Sequence, residues 1–165
     1  MVATTRPTIG FVLEQTLGHV THSQNLLTNI SRDHSIVAQW GLVEWQTNGL
    51  TSRLPLYGTN WTVRAGWRAR RQIAQMQRRS PLDALFIHTQ VAAVLMPDWL
   101  KRLPTVVSLD ATPQQYDALG DFYGHATGTS WVEAQKWRLN QQCYRLARHL
   151  VTWSKKKKKS LISDY

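Results

Sequence analysis

Four places in this 165-residue chain carry polar side chains just where a short apolar run ends. Gly18 and His19 follow residues 8–14 (TIGFVLE), His88 closes residues 83–88 (DALFIH), Asp110 ends the run VVSLD, and Trp153-Ser154 follow Leu150-Val151-Thr152. A glycine in such a turn lets the backbone come close to a ligand, and the N–H groups opening a following helix suit an anion. A neutral imidazole hydrogen-bonds a sugar hydroxyl, and a protonated one pairs with phosphate. Asp110 offers a carboxylate to hydroxyl groups or, equally, a cap for a helix beginning near Thr112. The plain alternatives are a turn glycine at Gly18 and a buried, satisfied histidine at His88.

Other chemistries find less support. His19 and His22 are three apart on one helix face, with His88 and Asp110 able to converge on them, but there is no H-E-x-x-H and a single cysteine excludes CxxC, so no metal is expected. G-x-S-x-G is absent, and Cys143 lies in a helical stripe that reads as core, so no nucleophile and no catalytic residue is assigned. Without G-x-G-x-x-G there is no dinucleotide fingerprint, and no cofactor is expected.

The elements that must position these residues alternate. Residues 8–14 form a β-branched run suited to a strand buried on both faces, Gly18 breaks it, and 20–30 read as a helix. A second strand spans 36–45 with an interruption at Gly41, and 46–60 turn to Thr, Asn, Gly and Pro as a loop. Asn60 caps a helix over 61–79 that Ser80-Pro81 stops. Strand 83–88, a helical piece over 90–95 meeting Pro97, and strand 105–111 follow. A loop over 121–130 then leads to a long helix over 131–148, with Val132, Leu139, Cys143, Leu146 and Leu150 along one stripe. A last strand at 150–153 and a helix over 155–164 complete the pass. Apolar strands alternating with helices predict an α/β fold around a parallel sheet, where ligands gather at the carboxyl ends of the strands. That rule is what favours a ligand reading of His88.

Composition bounds the rest. Hydrophobic residues make up 42% and charged residues 18%, which suits one folded domain. No signal pattern opens the chain, no apolar run nears the ~18 residues of a membrane span, and one cysteine suits a reducing compartment, so a cytoplasmic domain is expected. The net charge is +10, and five of the cations are Lys155 to Lys159, leaving +5 elsewhere. Much of the remainder lies in Arg64, Arg68, Arg70, Arg71, Arg78 and Arg79, which is either a solvated helix face or a surface for anionic partners. Trp61 and Trp67 beside these arginines make the same helix a candidate for peripheral membrane contact, at the inner face of a membrane.

Read together and in order, IGFVLEQTLGHVTHSQNL, NWTVRAGWRARR, DALFIHTQ, PTVVSLDATPQQYDALG, WRLNQQCYRLARHLVTWS and SLISDY resemble the family 4 glycosyltransferases, in a cyanobacterial-like branch. The resemblance implies that residues 1–165 are a truncated N-terminal, acceptor-side domain, a Rossmann-like parallel sheet flanked by helices and one half of a GT-B fold. In this family the second domain binds the nucleotide-sugar co-substrate, and transfer to a sugar or lipid-linked acceptor proceeds with retention and without metal. Gly18 and His19 match the glycine-bearing loop after the first strand. His88 matches a histidine that contacts the acceptor or the transferred sugar, and Asp110 stands where many members have histidine. The paired glutamates of the donor half would lie beyond Tyr165, so no turnover is expected from these residues alone, and the lysine run is unusual for its helix. The alternative is a basic module binding nucleic acid or anionic membrane. No RNA-recognition or zinc-finger motif supports the nucleic-acid version, and nucleic acid is not an expected partner.

Overall fold

The computed structural model of the chain describes residues 6–16, 18–46, 57–58, 60–110 and 130–164. These form an α/β, Rossmann-like arrangement: β1 (Thr8–Gln15), α1 (His19–Ile30), β2 (Val37–Glu44), α2 (Trp61–Arg79), β3 (Ala84–His88), α3 (Gln90–Ala93), α4 (Pro97–Arg102), β4 (Thr105–Leu109), α5 (Ser130–Leu146), β5 (His149–Thr152) and α6 (Lys155–Asp164). All five strands are parallel, in the order β2-β1-β3-β4-β5. The order reverses beside β1, which creates a switch point where β1 and β3 part towards opposite connections.

β1 is buried along most of its length, with Phe11, Val12 and Leu13 almost inaccessible, as a strand flanked on both sides must be. One row of the register runs Leu42–Leu13–His88–Ser108–Val151, so the polar end of β3 is set directly beside the polar face of β4. α2 lies on β1 and β2 through Ala65, Ala69, Ile73 and Met76, which recur at three- and four-residue spacing on one face. Its start is capped as the sequence suggests, with the Asn60 side chain accepting from the Val63 N–H at 3.2 Å.

Three sequence expectations change in detail. β2 runs unbroken through Gly41, and the glycine serves packing: a Cβ there would stand 2.8 Å from Cβ of Gln72 on α2. Pro97 does not end a helix but opens α4 at its first turn, where its missing N–H costs nothing and Asp98 favours the helix start. On α5 the expected stripe holds only in its second half. Cys143 is buried with Tyr144 and Asn140, whereas Val132 and Leu139 are 37% and 38% exposed. The Cys143 thiol is pushed up to about 12 by burial, so it is core and not chemistry. Ala111 and the expected loop at 121–129 lie outside the described residues.

Adding a methyl group at Gly41 must force α2 off the sheet or distort Gln72. Gly41→Ala is expected to cost about 1–3 kcal/mol in urea unfolding. Gly18 (φ −60°, open space at its Cβ) is the control, and Gly18→Ala should be neutral or slightly stabilising.

Candidate functional site

The carboxyl edge of the sheet gathers the polar strand ends. His19 is the first residue of α1, His88 the last of β3, and Asp110 follows β4. His19 Nδ1 lies 2.8 Å from His88 Nε2, and His19 Nε2 lies 3.5 Å from Asp110 Oδ2. On its other side His88 Nδ1 is 3.3 Å from Ser108 Oγ, which also accepts the Trp153 indole N–H at 3.3 Å. Asp110, His19, His88, Ser108 and Trp153 thus form one continuous polar chain across β1, β3, β4 and β5. The Trp153 ring lies parallel to His88 at 5.3 Å, and His22 packs its ring 4.5 Å from His88 and 4.8 Å from Trp153.

Burial decides which members can meet a ligand. His88 is fully inaccessible, while the His19 and Asp110 side chains each keep 15% exposure. Desolvation, with the neighbouring His19 and His22 adding to it, lowers the His88 pKa to about 3, against smaller opposing effects of Asp110 and the Ser108 backbone. His88 is therefore neutral near pH 7. With its Nδ1 proton turned to Ser108, its Nε2 lone pair accepts the Nδ1–H of His19. His19 then has a partner at each ring nitrogen, His88 on one side and the Asp110 carboxylate on the other. In this arrangement His88 orients His19, and His19 and Asp110 are the groups that face outwards. The His22 pKa is lowered by burial and by His19, and its Nε2 is buried with no hydrogen-bond partner among the described residues.

Gly18 sits at the helix start in an ordinary right-handed conformation, with open space where a side chain would be. Its value to a ligand is that room rather than any special backbone freedom. The His19 N–H donates to the Thr16 carbonyl at 2.8 Å, so this amide is not turned towards an anion. The capping role considered for Asp110 involves Thr112, outside the described residues.

A second polar layer went unread in the sequence. Glu14, 4% exposed, accepts from Thr16 Oγ1 at 2.7 Å, Thr89 Oγ1 at 2.5 Å and the Trp61 indole N–H at 3.1 Å. It ties the ends of β1 and β3 to the start of α2. The available signal was a carboxylate closing an otherwise apolar strand, since an ionisable group in such a run needs partners. The sequence marks Trp153 by its place at a strand end, and the structure adds its hydrogen bond to Ser108 and its stacking on His88.

Half of the arginine stretch is structural. Arg64 is 5% exposed, donates to the Tyr57 and Gly58 carbonyls at 3.0 Å, and sits over the rings of Trp45 and Trp61. Arg68 donates to the carbonyls of Glu44 and Gln46 and to the Tyr57 hydroxyl, and Arg70 grips Asp98 through both nitrogens at 2.5 and 2.9 Å. Arg71, Arg78 and Arg79 remain exposed.

Among the described residues no group of three or more His, Cys, Asp or Glu is placed to hold a metal ion. The 2.8 Å between His19 and His88 is a hydrogen bond, with no room for an ion between the two nitrogens. Searches against protein-family models and against curated proteins find no match to this chain.

Because His88 is held neutral while an unfolded histidine titrates near 6.5, the unfolded chain takes up a proton that the native one refuses as pH falls from about 6.5 towards about 3. Native stability is therefore lost on acidification, by at most about 1.4 kcal/mol per pH unit from this group. The pH dependence of the urea midpoint between pH 6.5 and 4 is expected to be shallower in His88→Gln than in the wild type.

Proposed function

We propose that this chain is the N-terminal, acceptor-binding part of a retaining family 4 glycosyltransferase, which presents a hydroxyl of a sugar or lipid-linked acceptor to a sugar carried on a nucleotide. The observation that carries the reading is the convergence of His19 and Asp110 at the β1–β3 switch point, beside the open space over Gly18. The pair suits a polyol: the carboxylate keeps lone pairs beyond the one facing His19 and accepts from hydroxyls, while the imidazole, braced by His88, holds it in place. Such binding contributes to transfer by fixing the acceptor's orientation, so that the nucleophilic oxygen need not search for the donor. Charge stabilisation at the leaving diphosphate belongs to the donor-binding half in this reading.

A second reading concerns where such a domain works. On the outer side of α2, Trp67 is 50% exposed and stands next to a groove it shares with Arg70, Arg71, Asp98, Trp99 and Arg102. Arg102 lies over the Trp99 ring, 5.7 Å from its centroid. Indoles and guanidinium groups together suit the head-group level of an anionic membrane, where the rings enter the interface and the cations meet phosphate. Among the described residues no helix is long and apolar enough to cross a membrane, so the contact we propose is peripheral.

For the first reading, saturation-transfer NMR with neutral methyl hexopyranosides should give signals with the wild type. Asp110→Asn and His19→Gln should weaken binding by about tenfold or more while the fold is kept. No saturation transfer from the wild type to any of the sugars would remove the reading. For the second, co-sedimentation with phosphatidylglycerol vesicles should fall steeply as salt is raised and drop in a Trp67→Ser, Arg71→Gln double variant. Equal sedimentation with neutral vesicles, or tighter salt-sensitive binding to single-stranded nucleic acid, would count against it.

A further inference from the structure

We propose that the cleft between the carboxyl ends of β1 and β2 is a second saccharide subsite, which holds a neutral sugar ring next to the one presented at His19 and Asp110. The inference rests on the acceptor reading and extends it to an acceptor of at least two rings. The cleft measures about 580 Å³ and is lined by Gln15, Thr16, Leu42, Glu44, Trp45 and Gln46. That volume falls within the range of small-molecule sites. It adjoins the first site along the chain, where the carbonyl of its wall residue Thr16 accepts the His19 N–H at 2.8 Å.

Its wall is a held aromatic platform. Trp45 is 50% exposed, yet it is braced by the Trp61 ring at 4.7 Å and by the Arg64 guanidinium at 5.2 Å. A large ring already fixed by the protein loses little freedom on binding, and its dispersion contacts with a C–H-rich sugar face are kept as net gain. Leu42, 40% exposed, extends the apolar side. The same lining supplies groups for hydroxyls. The Gln15 amide is fixed by bonds to the Leu13 and Glu14 carbonyls and to Ser23 Oγ at 2.9 Å. Thr16 Oγ1 is oriented by donating to Glu14 at 2.7 Å, and the Glu44 side chain is exposed.

Charge selects the ligand class. Among the described residues none of the six that line the cleft is cationic, and two guanidinium groups beside it are engaged, Arg64 on the Tyr57 and Gly58 carbonyls and Arg68 on the Glu44 and Gln46 carbonyls. With Glu44 exposed, an anion is repelled. A ligand cation is disfavoured too, because Arg64 already lies over Trp45 and offsets the negative face of that ring. A neutral polyol with one apolar face satisfies both constraints.

The test uses the 165-residue chain, ¹⁵N-labelled, titrated with methyl hexopyranosides of gluco, galacto and manno configuration and with the matching 1,4-linked disaccharides. The Trp45 indole cross-peak, identified as the one missing from Trp45→Phe, should shift with a disaccharide. Trp45→Ala should lose the advantage of disaccharide over monosaccharide by about tenfold, with monosaccharide affinity changed by less than about twofold, and Trp45→Phe should keep most of it. Asp110→Asn should weaken both ligands. Sugar binding that leaves the Trp45 cross-peak unmoved in the wild type would overturn the subsite and leave the acceptor reading standing. No sugar binding at all would overturn both, and a Trp45 shift with tetramethylammonium alone would replace the saccharide with a cation.

Discussion

The parallel register that sets Leu13, His88 and Ser108 side by side is the constraint on which the remaining arrangement depends. Parallel strands send every carboxyl end to the same edge, so whatever polar residue closes each strand is delivered to a common surface. A slip of one residue in β3 would turn His88 to the opposite face of the sheet and separate it from both His19 and Ser108. The imidazole is tolerated in so dry a position because the same register supplies it with a partner on each nitrogen. Its neutrality follows from that burial, and the outward-facing pair of His19 and Asp110 follows from its neutrality.

A different logic governs the basic residues. Formal charge counts treat Arg64, Arg68 and Arg70 as alike, yet one is buried between two indoles, one ties carbonyls at the end of β2, and one bridges α2 to α4. Arginine suits such places because its planar fork satisfies several acceptors while its flat face lies on aromatic rings. The effective cationic surface of α2 is accordingly smaller than its composition suggests, and it is concentrated around Arg71 and the far end of the helix.

Much of this architecture was legible. β-branched apolar runs mark β1, β3 and β4, Asn60 announces α2, and the rule placing ligands at strand carboxyl ends brings His19, His88 and Asp110 together before any coordinate is known. What escaped the sequence depends on contacts between distant segments. Gly41 looks like a break because the close approach of Gln72 is not local. Pro97 looks like a stop because proline is as common just beyond a helix as it is in the first turn of the next one, which is where it stands. His88 reads as a ligand contact until its two nitrogens are found turned to protein groups, and Glu14 is merely the last residue of an apolar run until Trp61 and Thr89 are found around it. In each case the deciding partner lies between 20 and 75 residues away, or in the geometry of a turn.

Cys143 has a practical consequence beyond packing. The only thiol of the chain is 2% exposed on the inner face of α5, and burial holds its proton far above the pH of any ordinary assay. Alkylation or disulfide exchange therefore has to wait for α5 to move away from α3 and α4. The rate at which a thiol reagent consumes the protein is a native clock for that opening, and any ligand that tightens the domain would slow it without touching the cysteine.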